Sequence, residues 1–464
     1  MNILFTTHTS PSYMPPIRLG ERQTTAGPNF PTDRVAGRLA TLHLPAGVFD
    51  LAERLSVLHA EDLPDLTIVL ADAYLGCVPR NLGRIPGRKI LLVADTHHGR
   101  APLQTLISYA QSEPFDGVVL LHDPHHLHWF AEAGIKPLTY LPNVNVQAWP
   151  QISETIDRKL VFVGQTGPHH PRRRRMLAAL SKAGIPVEIL QQSPLEAART
   201  YAEAQISLNC SLNGDLNMRV FEVMAAGGFL VTDRLTAQTG LQGLFREGDH
   251  FMAYGNEQEL VAVVRRSLDA PEECRRIAQA GRTKYLEDHA PKRRAAELLA
   301  FATDGSAPAY GRDLRSSMVA GFGRNLAERV KFYEFVQELH RVMPTVRILA
   351  APEVEARAIA DPVDLPDVVM SLCGPAKLLK KHADEFGRLG VGRQVSVGPD
   401  SGEPDVLLAH TTSDLRKMID THPNAKFVAI FGERASSRPI NDKRLSPLGF
   451  TRFGDSPGLY HRAT

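Results

Sequence analysis

The chain has 464 residues, of which 43% are hydrophobic and 22% charged, and its formal net charge is +2. This is ordinary globular composition for roughly two to four domains, and the balanced charge excludes a global electrostatic case for nucleic acid or an anionic membrane. No run of about 18 apolar residues is present, and Met1–Phe5 is too short for a signal-peptide core, so neither a spanning helix nor a secretory leader is expected. Cys77, Cys210, Cys274 and Cys373 are far apart and form no CxxC pair, which reads as reduced structural thiols in a cytoplasmic protein.

Residues 1–150 read as an open α/β sheet. Asn2–Phe5 is a buried first strand. Thr6–Asp33 follows as a loop with five prolines and two glycines, at the carboxyl edge where α/β domains bind ligands. It has no GxGxxG, which counts against a nicotinamide or flavin site. Val48–Leu58 reads as a helix. Leu66–Leu70, Lys89–Ala94, Phe115–Leu121 and Leu138–Leu141 read as strands, with helices at Leu103–Gln111 and His126–Ala133 between them. Two polar clusters fall at strand ends, Asp95-Thr-His97-His98 and His122-Asp123-Pro-His125-His126 with His128. His97 or His98 suits a base or a hydrogen bond to a transferred group, with Asp95 orienting it. The second cluster is dense in ligand atoms, but its spacing fits no standard zinc pattern. It reads as a helix N-terminus with solvated imidazoles, and no metal is assigned.

Residues 151–303 read as a second α/β domain. Leu160–Val163 is a strand ending at Gly164. The next helix opens with Arg172-Arg173-Arg174-Arg175. Cations there oppose the helix dipole, so the cluster argues for a nearby anion. Pro186–Leu190 is a strand and Pro194–Ala204 a helix. Ile206–Leu208 is a strand, Asn209–Asn217 a polar loop, Met218–Ala226 a short helix stopped by Gly227-Gly228, and Phe229–Val231 a strand. That is a βαβ unit, with a parallel sheet and a right-handed crossover. The amides at the start of the short helix suit a diphosphate. Arg219 stands in its first turn, and Glu222 is three residues on along the same face. Glu222 can accept from ribose hydroxyls while Arg219 holds phosphate, or the two can simply pair with each other. An edge strand at Phe251–Tyr254 and helices at Asn256–Leu268, Pro271–Leu286 and Pro291–Phe301 close the domain.

On Asn209, Asn213, Arg219-Val-Phe-Glu222 and Ala226-Gly-Gly-Phe-Leu230 the chain resembles glycosyltransferases similar to the spore maturation protein CgeB, within the GT-B group. Asp95–His98 and Tyr140–Asn143 are similar to first-domain segments of the same enzymes, and the likeness covers about residues 90–303. It implies two Rossmann-like domains in GT-B arrangement and a nucleotide-sugar donor. Transfer would be metal-independent, with retention of anomeric configuration and no cofactor. Donor contacts would come from Gly164, Arg173, Asn213, Asn217, Met218, Arg219 and Glu222, and catalytic groups from Asp95, His97 and His98. One departure is visible. Many relatives carry an acid eight positions before the ribose-binding one, and here that position is Gly214, with Asp215 out of register.

Residues 304–315 read as a polar linker. Residues 316–464 read as a third α/β domain, with strands at 346–349, 367–371, 394–397, 405–408 and 426–431, and a closing hairpin from Gly449–Phe453 and Gly458–His461. The pattern is similar to S-adenosylmethionine methyltransferases. The Gly-rich cofactor loop is missing, since Leu349 is followed by Ala-Ala-Pro-Glu, so the domain reads as methyltransferase-like but degenerate. The expected whole is an acceptor-side domain over 1–150 and a donor domain over 151–303, with the third domain after them. The acceptor, whether glycan, protein or small molecule, and the oligomeric state are left open. A non-catalytic nucleotide- or sugar-binding protein is the alternative.

Overall fold

The computed structural model describes residues 1–11, 16–99, 101–142, 155–306, 308, 310, 326–354, 360–362, 365–372, 375–389, 395–397, 402–432, 438–453 and 458–463. Asn143, Cys373 and most of the 304–315 linker lie outside them. The chain divides into two compact units, 1–319 and 320–464.

The first unit holds two lobes. The first lobe contains β1 (Ile3–Thr6), β2 (Gln23–Gly27), β3 (Asp33–Val35), β4 (Arg38–His43), β5 (Gly47–Asp50), α1 (Leu51–Leu55), β6 (Leu66–Asp72) and β7 (Cys77–Arg80). It continues with β8 (Arg88–Asp95), α2 (Pro102–Ser112), β9 (Gly117–Leu120), α3 (Leu127–Glu132) and β10 (Leu138–Tyr140). Its main sheet runs β10-β9-β8-β6-β1-β2-β4-β3, parallel except for the β3–β4 hairpin. The strand order reverses on either side of β1, so a crevice opens beyond the carboxyl ends of β1 and β6.

Two expectations fail here. The stretch 6–33 is not all loop, because β2 pairs in parallel with β1. It has no apolar alternation to announce it, and only Thr25, Ala26 and Gly27 are buried. Val48–Leu58 is not a helix throughout, because Gly47–Asp50 pairs with β7 as a strand. Asp50 then caps the short α1, its side chain accepting from the Glu53 N–H.

The second lobe contains β11 (Arg158–Val163), α4 (Pro171–Lys182), β12 (Glu188–Leu190), α5 (Pro194–Glu203), β13 (Ala204–Leu208), α6 (Met218–Ala226) and β14 (Leu230–Asp233). After these come α7 (Leu241–Leu244), β15 (Met252–Tyr254), α8 (Glu257–Asp269), α9 (Pro271–Asp288) and α10 (Pro291–Asp304). Its all-parallel sheet runs β12-β11-β13-β14-β15, with the reversal between β11 and β13. Local signals place the helices. Ser193 and Glu196 form a capping box on α5, and Asn256 caps α8. Gly227 ends α6 at φ +81°, and a side chain on Gly228 would strike the Tyr201 carbonyl. The α6 span is the one expected from sequence. Cores lie on both faces of this sheet. Helix α10 returns to the first lobe, where Ala295, Leu298 and Phe301 join the core formed by Ile68, Ile90 and Val119. Two facing parallel-sheet lobes with a returning last helix make the GT-B arrangement.

The second unit opens with α11 (Leu326–His340). It contains β16 (Val346–Ala350), β17 (Val368–Leu372), β18 (Val395–Val397), β19 (Val406–His410), β20 (Phe427–Phe431), β21 (Phe450–Arg452) and β22 (Leu459–Arg462). The sheet order is β18-β17-β16-β19-β20-β22-β21, in which only β22 runs opposite to the rest, antiparallel to both β20 and β21. Among the described residues no helix is long and apolar enough to cross a membrane. Cys77, Cys210 and Cys274 are free and buried.

Candidate functional site

A cleft of about 600 Å³ lies between the two lobes of the first unit. Its first-lobe wall is Asp95, His97, His98 and His122. Its second-lobe wall includes Gly164, Arg173, Gln192, Tyr201, Asp215, Asn217, Met218, Arg219 and Glu222. Of the residues named from sequence as donor contacts or catalytic groups, all but Asn213 line this cleft; Asn213 is 2% exposed and packed inside the β13–α6 loop.

The second-lobe wall is built at its sheet's reversal point. Asn217 precedes α6 without capping it, and Asn217 Oδ1 has no partner among the described residues. No side chain therefore occupies the first-turn amides of α6, which carry the positive end of the helix dipole. Arg219 Nη1 donates to Asn209 Oδ1 at 2.9 Å, and its guanidinium lies 5.0 Å from the centre of the Phe162 ring. Arg219 Nε is left without a partner among the described residues. Arg219 is thus oriented by the β11 and β13 ends rather than neutralised by Glu222. Gly164 stands at φ +154°, and a side chain there would collide with the Arg219 guanidinium. Glu222 is half-buried on the wall. Burial raises its carboxyl above the ordinary range, with Arg219 opposing that rise.

The four arginines opening α4 separate in space. Arg172 is buried, 3.5 Å from Asp233, and Arg175 pairs with Glu257 at 2.5 Å. Arg174 is exposed. Arg173 alone lines the cleft, held by the Cys210 carbonyl at 2.9 Å and the Gln165 carbonyl at 3.2 Å. Burial and the nearby Arg219 lower its pKa, opposed in part by Asp215 and Asp233. The cluster's case for an anion therefore narrows to Arg173.

On the first-lobe wall, Asp95 ends β8. Its Oδ1 accepts from the His97 N–H at 2.6 Å and the His98 N–H at 3.1 Å, and its Oδ2 pairs with His98 Nδ1. The His98 side chain is 41% exposed. Burial favours neutral His98, but Asp95 outweighs it and raises the pKa. His97 is buried, with Nε2 2.6 Å from Asp123 Oδ2. Burial disfavours its charge, yet Asp123 carries its pKa up to about 9.

Asp123 also accepts from Thr96 Oγ1 at 3.3 Å, and Thr96 Oγ1 lies 2.7 Å from His126 Nδ1. The expectation of solvated imidazoles is wrong for His125, His126 and His128, which are 3%, 1% and 4% exposed. His126 lies against Thr96 and His97, while His128 pairs with Glu132 and packs on Trp129 within its own helix. Among the described residues, His97, Asp123 and His126 bring one ligand atom each within 4.8 Å. The group as it stands is joined by hydrogen bonds.

Sequence reasoning named Asp123 and Asp215 without giving them a role, and did not single out His170. Gly214 turns the loop at φ +76°, so the following residue, Asp215, meets the cleft. Asp215 Oδ1 accepts from the Leu212 and Asn213 amides at 3.1 and 3.2 Å. Burial raises its pKa, but His97 and His98 across the cleft outweigh this and lower it. His170 precedes α4, and burial, Arg173 and His98 together bring its pKa down to about 4. Only the His169-His170 pair in the β11–α4 loop could have signalled it.

Residues 172–300, which carry Arg173, Asp215, Arg219 and Glu222, match the family described as glycosyl transferase-like. The protein is accordingly an enzyme of the glycosyltransferase class. No curated protein sequence matches the chain. Among solved structures it is similar to sucrose-phosphate synthase from Thermosynechococcus elongatus, at 12% identity over 65% of this chain and 98% of that one, with a TM-score of 0.47. It is also similar to Anabaena HepE, solved with UDP and glucose, at 11% identity over 64% and 98% of the two chains, TM-score 0.44. A glycosyltransferase from Rickettsia africae matches at 10% identity over 65% and 98%, TM-score 0.45.

Proposed function

We propose that the protein transfers a sugar from a nucleoside-diphosphate donor to a hydroxyl acceptor, as a GT-B enzyme similar to the CgeB-like group and acting in the cytoplasm. The observation that carries this is the uncapped start of α6 beside two unneutralised guanidinium groups, Arg173 and Arg219, with a carboxylate one turn further on. The diphosphate lies on the amides at Asn217 and Met218 and against the two guanidiniums. Glu222 accepts from the ribose hydroxyls. Gly164 leaves room for the Arg219 head, and the Asn213 loop supplies backbone contacts.

In this reading Asp215 takes the place of the acid missing at Gly214 and contacts the donor sugar. The departing diphosphate is stabilised by fixed cations and helix amides, so the transfer needs neither metal nor cofactor. Asp95, His97 and His98 face the sugar from the opposite wall, and transfer retains the anomeric configuration. Incubating the full chain with UDP-, GDP- and dTDP-sugars and measuring nucleoside diphosphate tests the reading. Release from at least one donor is expected. Tight binding of one donor with release from none would instead make the protein a binding module.

For residues 316–464 the closing antiparallel pair β21–β22 favours a second reading, a degenerate methyltransferase-like domain fused to the transferase. Binding of S-adenosylmethionine to the full chain, followed by calorimetry, is expected to be absent if the cofactor site is lost. Stoichiometric binding would make the domain a working one.

A further inference from the structure

The first lobe has a second built feature, beyond the cleft wall itself. The sheet reverses at β1, and the crevice beyond β1 and β6 is bridged by an ion pair between His8 Nε2 and Asp72 Oδ2 at 3.1 Å. Asp72 ends β6 and stands in register with Asp95, which ends the neighbouring β8. The His8–Asp72 pair therefore continues the row that holds Asp95–His98 and His97–Asp123. The two loops touch, since a side chain on Gly99 would meet the Ala73 side chain at 2.9 Å.

The β6–β7 loop also presents Tyr74, which is 67% exposed. Its backbone N–H donates to Asp72 Oδ1 at 3.0 Å, and the Leu75 N–H donates to the Asp72 carbonyl at 3.2 Å. Leu75 is held at φ +51°, a conformation that costs a branched residue energy and persists only where the surroundings impose it. Gly76 leaves room for His8, since a side chain there would meet His8 Cβ at 2.9 Å. The Asn29 side chain fixes the His8 carbonyl at 2.6 Å. A large aromatic ring is thus held outward beside a carboxylate–imidazole pair, at a strand-order reversal, adjoining the catalytic wall.

This combination suits one ligand chemistry. A sugar ring offers an apolar C–H face to an aromatic ring, while its hydroxyls both donate to carboxylates and accept from imidazole N–H. Among the described residues both guanidiniums that line the cleft belong to the second lobe, whereas the first-lobe edge carries Asp72, Asp95 and Asp123, each paired with an imidazole. Such a balanced edge offers paired donors and acceptors for hydroxyls rather than an unpaired cation for a phosphorylated or carboxylated acceptor.

We propose that the acceptor is a neutral saccharide and that Tyr74, with the His8–Asp72 pair beside it, is its binding platform. This rests on the glycosyltransferase reading above. The test uses the full chain with a productive donor. The acceptor panel sets methyl glycosides and neutral di- and trisaccharides against glycerol phosphate and serine-containing peptides. Transfer to a saccharide is expected. Tyr74→Ala should raise that acceptor's KM by about tenfold, leaving donor KM and acceptor-free donor hydrolysis unchanged. Tyr74→Phe, which keeps the ring, should restore KM to within about twofold. Transfer confined to peptides or glycerol phosphate, transfer to none of the saccharides, or a saccharide KM unmoved by Tyr74→Ala overturns the proposal. Failure of donor hydrolysis in the wild type would count against the transferase reading instead. Saturation-transfer NMR with the same saccharides then decides the platform: a signal lost in Tyr74→Ala supports it, and no signal with the wild type overturns it.

Discussion

The two lobes of the first unit place functional groups at the same topological position and fill it with opposite chemistry. At the second lobe's reversal, between β11 and β13, stand a helix start and the cations Arg173 and Arg219. At the first lobe's reversal, and along its edge, each carboxylate is matched to an imidazole: Asp72 to His8, Asp95 to His98 and Asp123 to His97. One wall carries cations and a free helix start, which would suit the diphosphate proposed above. The other is electrically balanced and rich in groups that both donate and accept. Such an asymmetry suits a reaction whose leaving group is charged and whose incoming group is a hydroxyl.

The sharpest way to break this comparison is to remove the donor wall's fixed charge. Arg219→Ala should lower kcat/KM by roughly 30- to 1000-fold, the scale of one preorganised charged contact to a developing anion. Its guanidinium rests on Asn209 and Phe162 at the cleft edge and makes no ion pair among the described residues, so the melting temperature should move little. An unchanged kcat/KM would mean the diphosphate is held elsewhere. Glu222→Ala should come next, weakening donor binding by about 1–3 kcal/mol, the range for a lost hydrogen bond to a charged group. Titration calorimetry reads it directly, and unchanged affinity would remove the ribose assignment.

The acceptor wall is tested by pH. The folded pKa of His97, about 9, lies above the 6.5 of a free imidazole, so the His97–Asp123 pair stabilises the fold fully below about pH 6.5 and loses that contribution as pH rises through about 9. The melting temperature should therefore fall between about pH 7 and 10. Asp123→Asn should lower it at neutral pH and flatten the dependence. A wild-type curve already flat over that interval would show that His97 is not charged in the fold.

The two walls also differ in how far the sequence reveals them. The donor wall was legible because its parts are contiguous: a polar loop, a helix of fixed length, a Gly-Gly stop and a strand all fall within 206–234. Even there the register pattern did not show that Asp215, after the left-handed Gly214, lines the cleft. The acceptor wall is assembled from the ends of β1, β6, β8 and β9, which the sequence scatters over more than a hundred residues. His126 looked solvated because Thr96, which meets its Nδ1, is distant in sequence. β2 was hidden for a related reason: its burial is imposed by neighbouring strands rather than written as an apolar pattern.

The smallest expected effect separates local sequence from three-dimensional placement most cleanly. Arg173 and Arg174 are adjacent and chemically identical, so by sequence alone either serves as the phosphate contact. In the fold they are not equivalent. Arg173 is fixed by two backbone carbonyls on the cleft wall. Arg174 is exposed, and its contact is a long 3.4 Å hydrogen bond to the Pro168 carbonyl. Arg174→Ala should change donor affinity and stability by less than about 0.5 kcal/mol, as exposed substitutions away from special contacts do. Arg173→Ala, by contrast, should cost about 1–3 kcal/mol of donor binding. Calorimetry on the two variants side by side decides the matter. Equal losses would mean that the whole basic turn, rather than one placed guanidinium, attracts the donor by diffuse charge, and such a loss should then shrink as salt is raised. A loss confined to Arg173 and insensitive to salt is the expected signature of a direct contact at the wall.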